Sequence, residues 1–268
     1  MRDNNAKIYD INGSVKGEIK LPDFFSTEYR PDVIKKAVLA IQSSRRQPYG
    51  SDVLAGKRTS AHYHGRRRRE RWTMMDRGMS RLARIHGKVG SLIWRARFVP
   101  HAVKGRRAHP PKTEKIWERK INKKEMMLAI KSALAAGCNI NLIKKRGHKF
   151  SGELPIIFDT EVESINKTRT IFELLKKVGL EKEIERCKNV KIQGGKAKLR
   201  GRKYKKKRGL LIIVSRPCNL VKAAGNLPGV DVAIASEIDA ELLAPGCQAG
   251  RLTIFTKPAL EYLSKVLV

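Results

Sequence analysis

Residues 210–235 read LLIIVSRPCNLVKAAGNLPGVDVAIA, and the apolar runs in this stretch predict the fold. Residues 210–214 are continuously apolar, which is typical of a strand covered on both faces. Residues 220–224 have helical character, and residues 230–235 form a second strand-like run. Because a strand, a helix and a strand follow one another, the stretch favours two parallel strands joined by a crossover helix.

The same alternation continues on both sides of this stretch. Strands are predicted at 154–158 and 252–255, and helices at 170–178, 238–243 and 258–267. The sequence therefore predicts an α/β fold: a mostly parallel sheet flanked by helices in Rossmann-like layers, with one long extended basic internal loop.

The first half of the chain adds a predicted hairpin and further helices. Strand-like residues 6–11 and 16–21 flank an Asn-Gly pair, which favours a hairpin turn. A helix is expected from Pro31, because proline suits the first helical position, and a second at 123–136, ending at a glycine. A short helix with a basic face is a further option around 77–85.

The 268 residues carry a net charge of +33 at pH 7, from 58 Lys and Arg against 25 Asp and Glu. Such an excess repels itself in a compact protein, so we expect a polyanion to neutralise it. Nucleic acid is the favoured partner, with an acidic membrane surface or an acidic protein as alternatives. No apolar run exceeds five residues and the N-terminus is polar, so we expect no membrane partner and no signal peptide.

The four cysteines stand far apart, and none forms a CxxC pair. This spacing lacks the common zinc patterns and gives no disulfide framework. We expect reduced, mostly packed thiols in a cytoplasmic protein.

Residues 45–113 are predicted to be a long basic insert within one globular domain, formed by residues 1–44 and 114–268. From residue 44 to 113 there are 19 Lys and Arg against three acids, a net charge of +16. Glycine and proline interrupt every stretch that would otherwise become regular. A segment of this composition buries too little apolar surface to fold alone, so we expect it to need an anionic scaffold.

Fifteen of these 19 basic residues are arginine, whose planar fork binds phosphate and stacks on bases. Five interleaved aromatics, Tyr49, Tyr63, Trp72, Trp94 and Phe98, are candidates for stacking on bases. The alternative is a solvated charge run with aromatics folded back on the core. The candidate RNA-binding residues of the insert are Arg66, Arg67, Arg68, Arg69, Arg71, Arg77, Arg81, Arg84, Arg95, Arg97, Lys104, Arg106, Arg107 and Lys112.

A second basic tract covers residues 191–208, with ten Lys and Arg and no acid. Its three glycines allow backbone N–H groups to approach phosphates, and the tract leads directly into a predicted strand. A solvated or nuclear-localisation-like tract is the alternative, and the nucleotide-loop patterns GxxxxGK[ST] and GxGxxG are absent. The candidate RNA-binding residues here are Lys196, Lys198, Arg200, Arg202, Lys203, Tyr204 and Lys205.

No metal, cofactor or catalytic group is expected. Five histidines, His62, His64, His86, His101 and His109, lie in the insert without a carboxylate or cysteine at ligand spacing, so RNA contact or exposure is favoured. Asp159, Glu161 and Glu163 could hold magnesium, but a polar loop at a strand end is the better interpretation. No Ser/His/Asp or Cys/His set is evident.

Four stretches resemble the universal family of large-subunit ribosomal protein four, in its archaeal and eukaryotic form. They are RQPYGSDVLAGKRTSA (46–61), RARFVPHAVKGRRAHPPK (95–112), GKAKLRGRKYKKKRG (195–209) and LAPGCQAGRLTIFTKPAL (243–260). The resemblance covers nearly the whole chain in the same order. Residues 62–93 are richer in arginine than the Gly-rich segments of that family.

The resemblance implies a non-enzymatic structural protein of the large ribosomal subunit, located in the cytoplasm. Its partners would be large-subunit ribosomal RNA, neighbouring large-subunit proteins and the nascent peptide, because the family's long loop reaches the wall of the exit tunnel. A regulatory RNA-binding protein acting off the ribosome and an RNA-processing enzyme are the alternatives. The resemblance adds Arg45, Arg46, Lys57 and Arg58 to the expected RNA contacts.

Overall fold

The computed structural model describes residues 5–65, 73–74, 77–86, 90–150 and 152–267. The chain divides into two compact units. One comprises Met1–Arg45 with Glu118–Val268, and is called the α/β unit below. The other, Arg46–Trp117, is called the basic unit.

A six-stranded mixed sheet forms the centre of the α/β unit, with its strands in the order β2-β1-β3-β8-β6-β7. Only β1 and β2 pair antiparallel, as the predicted hairpin, and the other neighbours are parallel. A separate antiparallel pair joins β4 and β5. The strands are β1 (Asn5–Tyr9), β2 (Val15–Lys20), β3 (Ile156–Phe158), β4 (Lys191–Ile192), β5 (Tyr204–Lys205), β6 (Leu211–Val214), β7 (Asp231–Ile234) and β8 (Thr253–Thr256).

The described residues form nine helices, and all of them except α6 contribute to the cores on the two faces of this sheet. They are α1 (Pro31–Ser44), α2 (Lys123–Ala136), α3 (Ile140–Arg146), α4 (Thr168–Lys177), α5 (Glu181–Lys188), α6 (Lys196–Leu199), α7 (Asn219–Gly225), α8 (Ala240–Leu243) and α9 (Lys257–Val266). Short 3-10 turns lie at Asp23–Ser26, Gly90–Leu92, Thr160–Ser164, Ala235–Glu237 and Pro245–Cys247.

Two hydrophobic cores result, because successive side chains of a strand point to opposite faces. In β6, Leu211 and Ile213 belong to the core shared with α1, α2, α8 and α9. Ile212 and Val214 belong to the core shared with α3, α4, α5 and α7. The predicted α/β fold, with helices on both sides of a mostly parallel sheet, is confirmed.

The predicted helices α1 and α2 are present as expected. Pro31 occupies the first turn of α1, and Val33, Ile34, Ala37 and Val38 bury one face at helical spacing. Helix α2 buries small residues such as Ala129 and Ala133, so its backbone packs close to its neighbours. Gly137 follows its last turn, as predicted.

The structure differs from the sequence-based expectations in three places. Residues 77–85 form no helix in their described part, because Arg84 instead makes antiparallel bridges with His62 and Ala96. The strand predicted at 154–158 begins only at Ile156, because Pro155 has no N–H to give to a ladder. No strand or helix was predicted within residues 191–208, and the structure forms β4, α6 and β5 there.

Within the described residues, no single helix is long and apolar enough to cross a membrane. Helices α2 and α3 meet the length and composition requirement only as a pair, and the chain bends by 90° between them.

Candidate nucleic-acid interface

The basic tract, residues 191–208, is a shaped hairpin. Residues Lys191 and Ile192 of β4 pair with Lys205 and Tyr204 of β5, and α6 lies between the two strands. Glycines flank α6 at positive φ, +61° at Gly195 and +77° at Gly201, a conformation that side chains with a Cβ rarely adopt. The hairpin therefore fixes the backbone positions from which its basic side chains extend.

All ten Lys and Arg of this tract are exposed. Among the described residues, Arg208 alone of them has an acidic partner, Asp231, with 2.9 Å between guanidinium nitrogen and carboxylate oxygen. Leu199 is 86% exposed, and Lys203 lies 5.3 Å from the centre of the Tyr204 ring. An acid-free exposed surface with apolar and aromatic members suits phosphates together with bases.

The end of the tract is held against the sheet by a buried arginine. Arg251 is 1% exposed and donates to the carbonyl oxygens of Gly209 and Leu242 at 2.9 Å, and to Asp231 at 2.5 Å. Burial lowers the pKa of this guanidinium, and Asp231 opposes that effect. Because Asp231 also binds Arg208, the tract enters β6 from a fixed position.

A second buried group holds the same end. Glu183 of α5 is fully buried and accepts hydrogen bonds from His148 Nδ1 at 2.6 Å, Lys149 N at 2.9 Å and Arg186 Nη2 at 2.6 Å. Arg186 also donates to the carbonyl oxygen of Arg208 at 2.9 Å. Burial alone would raise the pKa of Glu183, but the hydrogen bonds from Arg186, His148 and Lys149 outweigh it and hold the pKa at about 2.

In the basic unit, the described segments pair around Arg84. His62 and Arg84 exchange backbone hydrogen bonds, and Arg84 also bridges Ala96. The Arg84 guanidinium donates to the carbonyl oxygens of Ser80 at 2.9 Å and Trp94 at 2.8 Å, so it stabilises this pairing. Sequence reasoning treated Arg84 as an RNA contact, and the structure gives it partners within the chain.

An aromatic cluster lies where the basic unit begins and ends along the chain. The rings of Tyr49 and Trp117 stack with centres 5.4 Å apart, the Arg46 guanidinium carbon lies 4.0 Å from the Trp117 ring centre, and Lys115 Nζ lies at 4.4 Å. Tyr49, Trp117 and Arg107 line an open cleft of about 610 Å³. Trp117 was missed because it lies just beyond the predicted insert, although Lys115 and Arg119 stand two positions before and after it.

The other predicted contacts differ in their surroundings. Arg45 lies in the α/β unit and pairs with Asp239 at 3.0 Å and Glu241 at 2.6 Å, and Arg58 pairs with Asp52. Arg97 donates to the carbonyl oxygen of Val103, and Arg77 lies over the Trp94 ring. Arg106 is half-buried. Exposed side chains belong to Lys57, Arg81, Arg95, Lys104, Arg107 and Lys112, and also to Arg45, Arg46, Arg58 and Arg77. Arg66, Arg67, Arg68, Arg69, Arg71 and Trp72 lie outside the described residues.

Two groups of candidate metal ligands come together in the described part of the chain. The imidazoles of His62, His64 and His86 offer nitrogens within 4.8 Å of one another. Asp10, Asp159 and Glu161 form an acidic group, but Lys16 already binds Asp159 at 2.5 Å and Glu161 at 3.3 Å.

Glu163, which the sequence grouped with Asp159 and Glu161, has other partners. It accepts hydrogen bonds from the Ser215 hydroxyl at 3.0 Å and the Thr256 hydroxyl at 2.7 Å. This carboxylate therefore joins the ends of β6 and β8.

The fold and these surfaces together define a basic α/β protein with exposed Arg- and Lys-rich surfaces of the kind that suit a polyanion. Residues 19–266 match the model of the ribosomal protein L4/L1 family. The protein named large ribosomal subunit protein uL4 of Archaeoglobus fulgidus is 46% identical over 267 residues, which cover 98% of this chain and 99% of the relative. The uL4 protein of Methanocaldococcus jannaschii is 49% identical over 263 residues, covering 97% and 98%.

The chain belongs to the ribosomal protein L4/L1 family. The family resemblance predicted from the four quoted stretches is therefore confirmed.

Proposed function

We propose that this protein is a structural, non-enzymatic constituent of the large ribosomal subunit, and that it binds the ribosomal RNA of that subunit in the cytoplasm. The observation that carries this proposal is the similarity to proteins named large ribosomal subunit protein, at 46–49% identity over nearly the whole chain. A net charge of +33 and the exposed, acid-free tract give the chain a surface for RNA.

The proposal is tested by purifying large subunits from cells that express a tagged copy of the full chain. One copy per subunit, retained through a high-salt wash, is the expected result. A tagged chain that sediments apart from large subunits would instead favour a regulatory role off the ribosome.

Two surfaces are proposed to contact RNA. The first is the tract at residues 191–208, where Lys196 and Lys198 lie on α6 and Arg200, Arg202 and Lys203 follow it, all of them exposed. The second is the basic unit, where Trp117, Tyr49 and Arg46 form a stacked cluster beside an open cleft. Arginine over an aromatic ring keeps guanidinium N–H groups available at the edge for phosphate, and the ring faces can stack on bases.

The basic unit is further proposed to reach the wall of the nascent-peptide exit tunnel and to touch neighbouring large-subunit proteins. Its family membership supports this, as do the exposed apolar side chains Val53 and Val103, which are 80% and 79% exposed. A photocrosslinking amino acid at position 53 or 103 identifies the neighbour of each site. If the basic unit lies at the tunnel wall, at least one of its positions must crosslink to the nascent peptide.

Replacing Arg200, Arg202 and Lys203 with alanine should weaken RNA binding and leave stability unchanged. Three lost phosphate contacts should lower the slope of log affinity against log salt by about 2–3. Exposed charges contribute little to stability, so the free energy of unfolding should change by less than ~0.5 kcal/mol.

The matched control replaces Lys124, Lys177 and Lys182, which are exposed lysines on α2, α4 and α5. It removes the same charge and should leave the salt slope close to that of the unchanged protein. An equal loss of affinity in both triple variants would mean that net charge, not this hairpin, determines binding.

Trypsin should cut the free protein first within residues 45–112. Met74 is the one buried hydrophobic side chain of the basic unit in its described part, so burial adds little stability to this unit. We expect cuts at exposed sites such as Arg81 and Arg95, while the α/β unit stays compact and nicked. In assembled subunits the same peptide bonds should resist trypsin, because RNA contacts hold the segment in place. Equal resistance of the two units to trypsin in the free protein would contradict this prediction.

A further inference from the structure

Three histidines of the basic unit converge because two chain segments pair. His62 N donates to the Arg84 carbonyl oxygen at 3.3 Å, and Arg84 N donates to the His62 carbonyl oxygen at 3.0 Å. This pairing brings His86, two residues beyond Arg84, next to His62 and His64. The ring centres lie 4.3 Å apart for His62 and His64, 4.7 Å for His62 and His86, and 4.6 Å for His64 and His86.

We propose that His62, His64 and His86 bind one zinc-like transition-metal ion, with water completing four-coordination. Two ligands of a tetrahedral zinc ion lie about 3.3 Å apart when each zinc–nitrogen bond is about 2.0–2.1 Å. The Nε2 atoms of His62 and His86 are 3.2 Å apart, and all three histidines offer a nitrogen within 4.8 Å of the others. Small rotations of the side chains bring three nitrogens around one ion.

The outer hydrogen bonds fit metal ligands. His62 Nδ1 lies 3.0 Å from the Ser60 carbonyl oxygen, and His64 Nε2 lies 3.3 Å from the Arg84 carbonyl oxygen. A carbonyl only accepts, so these nitrogens carry the hydrogen, which leaves His62 Nε2 and His64 Nδ1 with a lone pair. Metal-binding histidines commonly have such a carbonyl partner, because it fixes the tautomer and the ring orientation.

The ligand set also selects the class of metal. Three imidazole nitrogens suit zinc, copper and nickel, whereas magnesium and calcium prefer oxygen ligands. His64 is buried, while His62 is exposed and His86 half-buried, so one side of the group is open to an entering ion and to water. A bound ion would join residues 62–64 to residue 86 and close a loop of the basic unit.

Zinc titration of the full chain, freed of metal by a chelator, tests the site in competition with a chromophoric chelator. We expect one zinc ion to bind per chain. The Kd for zinc should rise at least ~100-fold in His62→Gln and in His86→Gln, because losing a ligand costs more than the ~10–100-fold loss of affinity typical of losing an outer hydrogen-bond partner. His62 is exposed and pairs with Arg84 through backbone atoms, so His62→Gln should leave that pairing intact. His101→Gln and His109→Gln replace exposed histidines of the same unit and should bind zinc as the unchanged chain does.

Cobalt and trypsin give two independent readouts. Cobalt(II) should show the intense visible bands of four-coordination in the unchanged chain and lose them in His86→Gln. Zinc should slow tryptic cutting at Arg81 and Arg84 in the unchanged chain but not in His62→Gln. The proposal is overturned if no stoichiometric zinc binds, or if the His62 and His86 variants bind as tightly as the controls. RNA binding by the zinc-free chain is measured separately, so failure of the metal site leaves the RNA-binding proposal standing.

Discussion

Raising the salt concentration from about 50 to about 200 mM should weaken binding of large-subunit ribosomal RNA by three decades or more. The insert and the tract together hold 29 Lys and Arg. If ten of them neutralise phosphates, the slope of log affinity against log salt is about −7 to −9, because each contact releases condensed counterions. Filter binding of the full chain to large-subunit RNA, over a series of potassium chloride concentrations, measures this slope.

Two controls separate this effect from a general loss of structure. Circular dichroism at each salt concentration should be unchanged, since the cores of the α/β unit are apolar. A neutral osmolyte series at the same osmolarity should leave affinity nearly constant. A slope shallower than about −3 would mean that few phosphates are contacted, and the two proposed surfaces would then be wrong.

Glu183→Gln should destabilise the folded protein by about 3 kcal/mol, because removing one charge of a buried pair leaves Arg186 without compensation. Glu183 is fully buried and accepts from three donors, and its pKa is held at about 2 against a usual 4.5. That difference corresponds to about 3 kcal/mol by linkage. For a chain of this size the melting temperature should fall by about 6–12 °C, measured by differential scanning calorimetry.

The pH dependence of this contribution has a definite sign. Because the folded pKa of Glu183 is lower than the unfolded one, the stabilisation is complete above about pH 4.5 and is lost as the pH falls towards 2. Unchanged protein and Glu183→Gln should therefore converge in stability on acidification.

Glu173→Gln is the matched control. Glu173 pairs with Arg169 on the surface of α4 at 2.9 Å, with its side chain 54% exposed, so the same substitution there should cost less than ~0.5 kcal/mol. Equal losses of unfolding free energy at the two sites would show that burial of Glu183 adds nothing to its contribution to stability.

The sheet was predictable because its central strands are short apolar runs bounded by turn residues, as in β6 and β8. Helices α3 and α5 were missed for the opposite reason. They have seven and eight residues, and α5 buries only Ile184 and Cys187 as apolar side chains within a highly charged segment. A pattern so short gives no clear helical period, and the tertiary contacts decide its conformation.

Charge alone located the basic tract, but not the groups that position it. The interactions of Arg208 with Asp231, and of Asp231 with Arg251, join residues about 20 positions apart. The meeting of His62 with His86 depends likewise on backbone pairing at Arg84. The spacing of residues along the chain does not predict such pairings, since they depend on how distant segments fold together.

The pairing of β1 with β3 has a consequence for the growing chain. Ile8 pairs with Ile157, so the sheet closes only after the whole basic unit has been synthesised. At about 5–20 residues per second, synthesis from Ile8 to Ile157 lasts on the order of 10–30 s. During this time the N-terminal hairpin is only marginally stable by itself, and the 19 Lys and Arg of residues 44–113 are already accessible to RNA. Binding of the basic unit to a polyanion can therefore begin before β1 pairs with β3.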